Sequence, residues 1–249
     1  MTDCASKNCI LLTGASSAIG SAIARNLAKE NISLALHYHQ GSERMGALAE
    51  ELVSKGCRTE TFQYDLTTDN APKELADQVK ERLGAPMVLI NNAGAVFGRE
   101  SVENLSVDSW RQTFRLNAEV PFFLARELIP AMKKARYGRI INISSIGVKY
   151  GGSPNTLHYA SSKGALETLS LGMSRQFAHD GICVNAVRPG FTESNFHKEL
   201  DDGQIESRIK LIPMGRSILP EETAAAVSYL LSPEASSVTG QTLSVSGGD

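Results

Sequence analysis

A tyrosine and a lysine stand four residues apart in the segment YASSK, as Tyr159 and Lys163. Residues at this spacing face the same side of a helix. A tyrosine whose pKa is ~10 transfers protons poorly at neutral pH, but a neighbouring ammonium favours the phenolate and lowers that pKa. The pair therefore suggests proton transfer by a phenol, although a tyrosine and a lysine at this spacing are by themselves a common surface arrangement.

A serine hydroxyl follows a strand-like run fourteen residues before that tyrosine. Ser145 ends the segment INISS, where a hydroxyl can hold a carbonyl or alcohol oxygen opposite Tyr159. Ser144 is adjacent, but successive side chains of a strand point to opposite faces, so Ser145 is the predicted site residue. Asn117 lies inside a long helical pattern, and Pro121 close by predicts a local irregularity there.

The segment LTGASSAIG joins an apolar run to a helical pattern. Gly14 permits a tight turn, and Gly20 permits close packing or close approach of a ligand to the backbone. Free amides at the start of a helix, together with the helix dipole, favour an anion, and Ser16 and Ser17 add hydroxyl donors. The spacing is not G-x-G-x-x-G, and Ala18 stands where another glycine is expected. The segment alone is equally consistent with a plain strand-to-helix turn.

Short apolar runs alternate with amphipathic segments along the chain. The predicted strands occupy 9–13, 33–38, 58–66, 87–94, 139–145, 183–190 and 242–248. The predicted helices occupy 20–30, 42–55, 70–83, 108–134, 158–179 and 221–231. This alternation predicts one α/β domain over 1–249, with a Rossmann-type, doubly wound parallel sheet of about seven strands and helices on both faces. Such strands are covered on both faces, which explains runs that do not alternate with polar residues.

A polar stretch, residues 191–217, interrupts this rhythm and contains a break at Gly203. It directly follows the carboxyl end of a predicted strand, and in open α/β sheets ligands bind at that edge. We expect a mobile lid over the site, with a surface excursion of no particular role as the alternative.

Composition excludes several classes of protein. A net charge of -2 and a pI near 6.2 argue against a general nucleic-acid binder. No apolar run approaches the ~20 residues that span a bilayer, and the first residues lack the features of a secretory signal, so we expect no membrane partner and a cytoplasmic protein. Metal-ligand spacing is absent from the four cysteines, so no metal site is predicted and buried free thiols are expected, above all at the two in strand-like runs, Cys9 and Cys183. The cysteines are Cys4, Cys9, Cys57 and Cys183.

Taken together, these segments resemble the short-chain dehydrogenase/reductase family over essentially the whole chain. TGASSAIG is similar to the family's T-G-x-x-x-G-x-G cofactor loop, NNAG to its sheet-stabilising motif and YASSK to its Y-x-x-x-K. RPGFTES resembles its P-G turn, and TGQTLSVSGG its last strand. Asn117, Ser145, Tyr159 and Lys163 match the family's catalytic tetrad in order.

The resemblance implies a role for each member of the tetrad. Tyr159 gives a proton to the ketone oxygen while a nicotinamide cofactor gives hydride to the carbon. Ser145 orients and stabilises that oxygen. Lys163 holds the nicotinamide ribose and favours tyrosinate, and Asn117 helps to hold a water relay to Lys163. General acid–base catalysis and positioning of the reactants supply the rate enhancement.

The resemblance also implies a set of cofactor contacts. Asp65 resembles an adenine-contacting aspartate with Leu66 beside it, and Thr192 stands where relatives hold the nicotinamide carboxamide. The predicted cofactor-binding residues are Gly14, Ser16, Ser17, Ile19, Gly20, His39, Asp65, Leu66, Asn92, Ala93, Gly94, Tyr159, Lys163, Pro189, Gly190 and Thr192.

The end of the second predicted strand favours NADP(H) over NAD(H). NAD enzymes usually place an acid there for the ribose 2′-hydroxyl, but Tyr38 is near that position and no acid occurs before Glu43. His37, His39 and Arg44 are available to assist a 2′-phosphate. One departure is that the serine at 17 stands where NADP-preferring relatives often carry arginine.

In length, tail and the segment IPMGR, the chain is similar to 3-oxoacyl-[acyl-carrier-protein] reductases. An acidic carrier needs basic docking residues, and Arg136 matches a docking position of that subfamily, with Lys133 and Lys134 beside it. Basic residues at a helix end also complement the helix dipole without any docking role. Against a carrier, Asp180 stands where the subfamily often has a second basic residue, and the spacing from serine to tyrosine is one residue longer than usual.

The resemblance therefore predicts NADPH-dependent reduction of a 3-oxoacyl thioester on an acyl carrier protein. It also implies a homotetramer whose interfaces are the helices 108–134 and 158–179. AVRPGFTES instead resembles family members that act on sugars, polyols or other small secondary alcohols and ketones. A dinucleotide-binding sensor or scaffold without turnover is a third alternative, against which the intact tetrad argues.

Overall fold

Parallel strands form the centre of the molecule. The computed structural model describes residues 8–192 and 201–249, and these residues contain seven strands in one sheet. In chain order they are β1 (Cys9–Leu12), β2 (Ser33–Tyr38), β3 (Arg58–Gln63), β4 (Val88–Asn91), β5 (Gly138–Ile143), β6 (Ile182–Pro189) and β7 (Thr242–Val245). Their spatial order is β3-β2-β1-β4-β5-β6-β7, with every pairing parallel. The order reverses at β1 and β4, the place where open α/β sheets bind ligands.

Helices cover both faces of this sheet. They are α1 (Ala18–Leu27), α2 (Ser42–Ser54), α3 (Ala71–Leu83), α4 (Val107–Phe114), α5 (Val120–Ala135), α6 (Gly147–Tyr150), α7 (Leu157–Phe177), α8 (Asp202–Lys210) and α9 (Pro220–Leu231). Leu11 packs in a core with residues of α3, α5 and α7, whereas the next residue, Leu12, packs in a second core with residues of α1, α2 and α9. The predicted doubly wound sheet is confirmed, and its two cores explain the unbroken apolar runs.

The helix predicted over 108–134 is divided. A π-helix at Arg115–Glu119 separates α4 from α5 and contains Asn117. Pro121, just inside α5, has no N–H to give to the carbonyl of Asn117, its α-helical acceptor four residues earlier. The irregularity expected from this proline is therefore confirmed, and π-helical turns of this kind are frequent at functional sites.

Several predicted strands extend too far toward their carboxyl ends. The strand predicted over 87–94 ends at Asn91, and the strand predicted over 139–145 ends at Ile143. The residues beyond each end leave the sheet as loops, which places predicted site residues on its carboxyl edge. Two helices, α6 and α8, were not predicted.

Expectations about the cysteines, the lid and membrane spans can be compared with the described residues. The described cysteines Cys9, Cys57 and Cys183 are free and buried, as expected, whereas Cys4 lies outside the described residues. Within the predicted lid, α8 is described, but residues 193–200 lie outside the described residues. Among the described helices, none combines the length and apolar character needed to cross a membrane.

Candidate active site

A cleft of about 1740 Å³ runs along the carboxyl edge of the sheet. The loops after β1 to β6 contribute to its walls, and most predicted site residues line it. These are Gly14, Ser16, Ser17, Ile19, His39, Asp65, Leu66, Asn92, Ala93, Gly94, Ser145, Tyr159, Lys163, Pro189, Gly190 and Thr192. Gly20 and Asn117 are the predicted site residues outside this lining, and both are buried behind it.

The loop after β1 is held in shape by its own hydrogen bonds. Ser17 caps α1: its hydroxyl donates to the Gly14 carbonyl over 2.9 Å and accepts the Gly20 N–H over 3.1 Å. The Asn92 amide also donates to the Gly14 carbonyl, over 2.9 Å. A Cβ on Gly20 would lie 2.3 Å from that carbonyl oxygen, so Gly20 packs the loop against the helix instead of lining the cleft. Ala18 begins α1 with no positive φ and needs only to be small.

The first part of the cleft fits a dinucleotide. Ala18 and Ile19 line it at the first turn of α1, where backbone amides have no intrahelical acceptor and favour a phosphate. Gly14 has a φ of +65°, and a Cβ there would lie 2.9 Å from the Cα of Ala93. A Cβ on Gly94 would lie 2.8 Å from Asn117 Oδ1, in the same cleft wall. Glycine at these two positions therefore lets the loops after β1 and β4 pack closely against neighbouring protein atoms in the cleft wall.

Charged side chains border the cleft beyond β2 and β3. Asp65 accepts hydrogen bonds from the backbone N–H and the hydroxyl of Thr67, over 2.9 and 2.6 Å. These bonds lower the pKa of Asp65, and the bond from the Thr67 hydroxyl has the larger effect. Asp65 is therefore anionic at neutral pH. Arg44 and His39 also line the cleft, and a Cβ on Gly41 would lie 3.1 Å from Arg44 Nη2. The Arg44 guanidinium therefore lies over the loop between β2 and α2.

His37 is a buried neutral side chain. Its Nδ1 accepts the Gly14 N–H over 3.2 Å, and its Nε2 lies 3.1 Å from the carbonyl oxygen of Tyr64, so Nε2 carries the proton. Burial lowers the pKa of His37 to about 4. The sequence analysis grouped His37 with His39 and Arg44 as aids to a 2′-phosphate. That expectation is wrong for His37, because a neutral imidazole with both nitrogens engaged has no proton to offer a phosphate.

Tyr159, Ser145 and Lys163 meet at the middle of the cleft. Burial raises the pKa of Tyr159 to about 12, opposed by a hydrogen bond with the Ser145 hydroxyl and by the positive charge of Arg99. Burial lowers the pKa of Lys163 to about 8, and its Nζ donates to the Ile143 carbonyl over 2.7 Å. The Lys163 Nζ lies 5.8 Å from the centroid of the Tyr159 ring. The sequence led us to expect a lowered tyrosine pKa, but in this site burial outweighs the neighbouring charges.

The two adjacent serines that follow β5 have different partners. Ser145 Oγ bonds to Tyr159 and accepts the Gly147 N–H over 3.1 Å. Ser144 Oγ instead donates to Glu167 Oε1 over 2.5 Å. Only the Ser145 hydroxyl is therefore positioned beside the phenol.

The Asn117 side chain holds the loop after β4. Its Nδ2 donates to the Ala95 carbonyl over 2.8 Å, and its Oδ1 accepts the Ala95 N–H over 3.1 Å. The amide is occupied at both ends, so any contribution of Asn117 to a water relay falls to its main-chain carbonyl. The same loop is fixed again at Phe97, whose N–H donates to Thr113 Oγ1 over 3.2 Å and whose carbonyl lies 2.9 Å from His158 Nε2.

A clasp of three side chains lies at the other end of the cleft. The Tyr150 hydroxyl donates to Asp249 Oδ1 over 2.8 Å, and Arg208 of α8 forms an ion pair with the other oxygen of the same carboxylate. The Arg208 guanidinium also lies over the Phe191 ring, 5.9 Å from its centroid. These three residues were not predicted, because no local sequence pattern links Asp249 to α6 and α8.

Arg136, the predicted carrier-docking residue, lies far from this site in the sheet. It precedes the amino end of β5, whereas Ser145 follows the carboxyl end, and a strand of this length spans ~20 Å. Arg136 Nη1 lies 3.3 Å from Asp180, and Lys133 Nζ lies 3.4 Å from the same carboxylate. The basic cluster is therefore partly neutralised within the chain.

The fold and the cleft are those of a dinucleotide-binding α/β protein. A family model described as enoyl-(acyl carrier protein) reductase matches residues 14–249. The 3-oxoacyl-[acyl-carrier-protein] reductase FabG of Rickettsia prowazekii is 38% identical over 239 residues, which cover 96% of this chain and 95% of the relative. The uncharacterized oxidoreductase YmfI of Bacillus subtilis is 35% identical over 240 residues, covering 96% of this chain and 97% of the relative.

A solved structure shows the same architecture. The blue fluorescent protein from a metagenomic library, in complex with NADPH, is 29% identical with a TM-score of 0.90, and the match covers 97% of both chains. The chain belongs to the short-chain dehydrogenase/reductase family. It is an NAD(P)-dependent oxidoreductase that acts on CH–OH groups.

Proposed function

We propose that this oxidoreductase uses NADPH to reduce the keto group of a 3-oxoacyl thioester to the 3-hydroxyacyl form. The observation that carries the reaction type is the meeting of Ser145, Tyr159 and Lys163 in one wall of the cleft. The similarity to the Rickettsia prowazekii 3-oxoacyl-[acyl-carrier-protein] reductase supports the thioester.

The proposed chemistry is a proton transfer coupled to hydride addition. A bound nicotinamide supplies the hydride for the carbonyl carbon. Tyr159 gives its phenolic proton to the carbonyl oxygen, and the Ser145 hydroxyl holds that oxygen in place. With a pKa of about 12, Tyr159 is protonated at neutral pH, which suits a proton donor and therefore the direction of reduction.

Lys163 and Asn117 support that transfer. With a pKa of about 8, Lys163 is mostly an ammonium at neutral pH, and it stabilises the phenolate that remains when Tyr159 loses its proton. We assign the contact with the nicotinamide ribose to the same ammonium. The Asn117 carbonyl, from which Pro121 withholds the α-helical donor, holds the water that returns a proton.

NADPH is the proposed cofactor because the wall beyond β2 is basic. Arg44 and His39 line the cleft there, whereas Glu43, the first acidic residue after β2, lies in the first turn of α2 and outside the cleft lining. A 2′-phosphate would gain charge-assisted hydrogen bonds from the guanidinium. The remaining predicted contacts, from the phosphate loop to the turn at Gly190 and Thr192, are proposed to bind the rest of the cofactor.

We also assign α8 to the predicted lid. The clasp of Tyr150, Arg208 and Asp249 holds α8 at the substrate end of the cleft, next to the apolar side chains of Phe191 and Leu211. Opening the clasp would release α8 and widen that end. A thioester with an acyl chain needs both apolar walls and such an opening.

A homotetramer is the proposed assembly. Large apolar side chains are exposed along the helices that the family resemblance assigns to its interfaces. They are Trp110 of α4, Phe122 of α5, and Leu157 and Leu171 of α7. Light scattering should give a mass near four times the 26.8 kDa of one chain, and a monomeric mass would contradict the assignment.

The proposed function is tested with a panel of substrates, and reduction of each is measured as the loss of NADPH or NADH absorbance. Acetoacetyl-CoA, an acetoacetylated acyl carrier protein, simple ketones and ketoses are compared with NADPH and with NADH. The proposal expects the thioesters to have the highest kcat/KM. An enzyme that turns over ketoses or simple ketones but no thioester would overturn it.

A second candidate function is reduction or oxidation of a sugar, polyol or small secondary alcohol. The position of Arg136 favours it over a carrier-bound substrate, because that cation is paired with Asp180 at the opposite edge of the sheet from Ser145. If Arg136→Ala lowers kcat/KM with the acetoacetylated carrier but not with acetoacetyl-CoA, a carrier docks there. If the wild-type protein and Arg136→Ala have equal kcat/KM on each of the two thioesters, docking at Arg136 is excluded.

A further inference from the structure

Glu167 lies one helical turn beyond the two proposed catalytic residues of α7. Tyr159, Lys163 and Glu167 are spaced four residues apart and form one stripe along the helix. The first two line the cleft. The Glu167 side chain, only 13% exposed, points into the joint between α7 and the ends of β5 and β6.

The Glu167 carboxylate receives three hydrogen bonds from two other segments. Ser144 Oγ donates to Oε1 over 2.5 Å, and Arg188 Nε donates to the same oxygen over 3.0 Å. Arg188 Nη2 donates to Oε2 over 2.5 Å, which makes the ion pair bidentate. Charge-assisted, bidentate bonds of this kind are strong and fix orientation as well as distance.

Each partner of this carboxylate adjoins a residue that lines the cleft. Ser144 directly precedes Ser145 in the chain. Arg188 and Pro189 are the last two residues of β6, which leads into the proposed cofactor turn at Gly190 and Thr192. These two segments are also joined to each other, since the Ser144 N–H donates to the Val187 carbonyl over 2.7 Å. One carboxylate therefore connects the helix of the phenol, the segment of the serine and the cofactor turn.

We propose that Glu167 is a positioning residue, whose bonds to Ser144 and Arg188 hold Ser145 and the turn that follows Pro189 in register with Tyr159 and Lys163. This proposal rests on the proposed roles of Ser145 and Tyr159 but not on the identity of the substrate. A misplacement of ~1 Å far from the reacting atoms can lower a rate by as much as ~10²-fold. Glu167 itself is not among the residues that line the cleft.

The charge of Glu167 matters as much as its shape. Its bond to Arg188 raises the pKa of that guanidinium, and the Arg188 side chain is only 20% exposed. Removing the carboxylate would leave a half-buried cation without its counter-charge, and the cation would turn toward water or another acceptor. Such a movement would displace the turn that Arg188 precedes.

The chain offers a matched control in a second link between β5 and α7. Asn142 Nδ2 donates to Ser170 Oγ over 2.8 Å, and Asn91 Nδ2 donates to Asn142 Oδ1 over 2.8 Å. This link is buried, joins the same two elements and lies three residues further along α7 than Glu167. Ser170→Ala therefore removes a comparable structural bond without reaching Ser145 or the cofactor turn.

The test compares Glu167→Ala, Glu167→Gln, Arg188→Met and Ser170→Ala with the wild-type protein. Glu167→Ala is expected to lower kcat by between about 10-fold and 10²-fold, with Glu167→Gln intermediate because its amide oxygen still accepts one hydrogen bond. Because the bond with Ser145 lowers the pKa of Tyr159, loss of that bond should move the kcat–pH profile to higher pH. Ser170→Ala should lower Tm while leaving kcat and the pH profile unchanged.

A readout without turnover accompanies these assays. The dissociation constant of NADPH is measured by its fluorescence, and it should rise in Glu167→Ala, in which the cofactor turn is displaced, but not in Ser170→Ala. Unchanged kcat and pH profile in both Glu167 variants would overturn the inference, as would an equal loss of kcat in Ser170→Ala. If Glu167→Ala fails to fold, Glu167→Gln decides. If the wild-type protein reduces no thioester, the proposed function fails, and the measurement of NADPH binding still tests Glu167.

Discussion

The two ends of the cleft are built in different ways. At the cofactor end, the phosphate loop is closed by bonds within itself, such as Ser17 to Gly14, and by neighbours on the adjacent strands, such as His37. At the substrate end, the clasp joins Tyr150 to Asp249, which are 99 residues apart in the chain. The first end is a compact unit built on β1, β2 and β4, whereas the second is assembled from segments that meet only in the folded protein.

Because the two ends are built differently, substitutions at each end should affect a different property of the enzyme. A dinucleotide presents the same phosphates to every enzyme that binds it, so a rigid loop with fixed amides suits the cofactor end. In the proposed function, the substrate end carries the contacts that distinguish one carbonyl compound from another, and the clasp of Tyr150, Arg208 and Asp249 holds α8 there. Changes at the cofactor end should therefore alter cofactor affinity, and changes at the clasp should alter the substrate KM.

The largest effect is expected between the two ends, at the phenol. Tyr159→Phe removes the proposed proton donor and should lower kcat by about 10²- to 10⁴-fold. NADPH binding, followed by its fluorescence, should change little because the ring remains. Tyr229→Phe, an exposed tyrosine of α9, is the matched control. A Tyr159→Phe variant with wild-type turnover would contradict the proposed mechanism.

At the cofactor end, the sharpest test is His37→Leu. It removes the acceptor of the Gly14 N–H and the donor to the Tyr64 carbonyl, and an unsatisfied buried group costs about 1–3 kcal/mol. The NADPH dissociation constant should rise by about tenfold or more, with kcat at saturating NADPH nearly unchanged. His179→Asn, at a largely exposed histidine, controls for loss of an imidazole. A loss confined to kcat would contradict this assignment.

His37 also gives stability a pH dependence of known sign. Its pKa is about 4 in the folded protein, below the ordinary 6.5, so the unfolded chain binds more protons between these values. The stabilisation is complete above about pH 6.5 and is lost progressively as the pH falls toward 4. Urea unfolding across this range should show a steeper decline for the wild-type protein than for His37→Leu. Parallel declines would show that other groups dominate.

The two ends of the cleft differ in how far their residues can be predicted from the sequence. The cofactor loop and the tyrosine–lysine pair are short patterns that are ambiguous one by one, and their joint resemblance to a known family indicated Gly14, Tyr159 and Lys163 as site residues. The clasp and Glu167 depend on contacts between distant segments, which no local periodicity reports. His37 was selected for the wrong reason, because burial and tautomer, which decide its role, are properties of the fold.

The element types were predicted better than the element ends. The alternation of apolar runs and amphipathic segments was sufficient for the parallel sheet, since both of its faces are covered. The strand limits failed at Asn91 and Ile143 because apolar and small residues continue into the loops that leave the sheet. The short helix α6 has four residues, too few for a periodic pattern to appear.

A smaller effect is expected at the border of the cofactor end. Arg44→Met removes the guanidinium proposed to bind the 2′-phosphate and should lower the NADPH-to-NADH ratio of kcat/KM by about tenfold, because hydrogen bonds to charged groups contribute about 1.5–3 kcal/mol. NADH kinetics should change little. Lys55→Met, at the end of α2 and outside the cleft lining, removes the same charge as a control. An unchanged ratio would place the 2′-phosphate elsewhere.

The smallest effect is expected at the substrate end. Asp249→Asn keeps the shape of the clasp but weakens its ion pair with Arg208, which is partly exposed and therefore contributes modestly. The KM for the carbonyl substrate should rise about threefold, with the NADPH dissociation constant unchanged. Tyr150→Phe, which removes the other bond to the same carboxylate, should act in the same direction and add little to Asp249→Asn. An effect on NADPH binding alone would mean that the clasp serves the cofactor, and the two ends would not be independent.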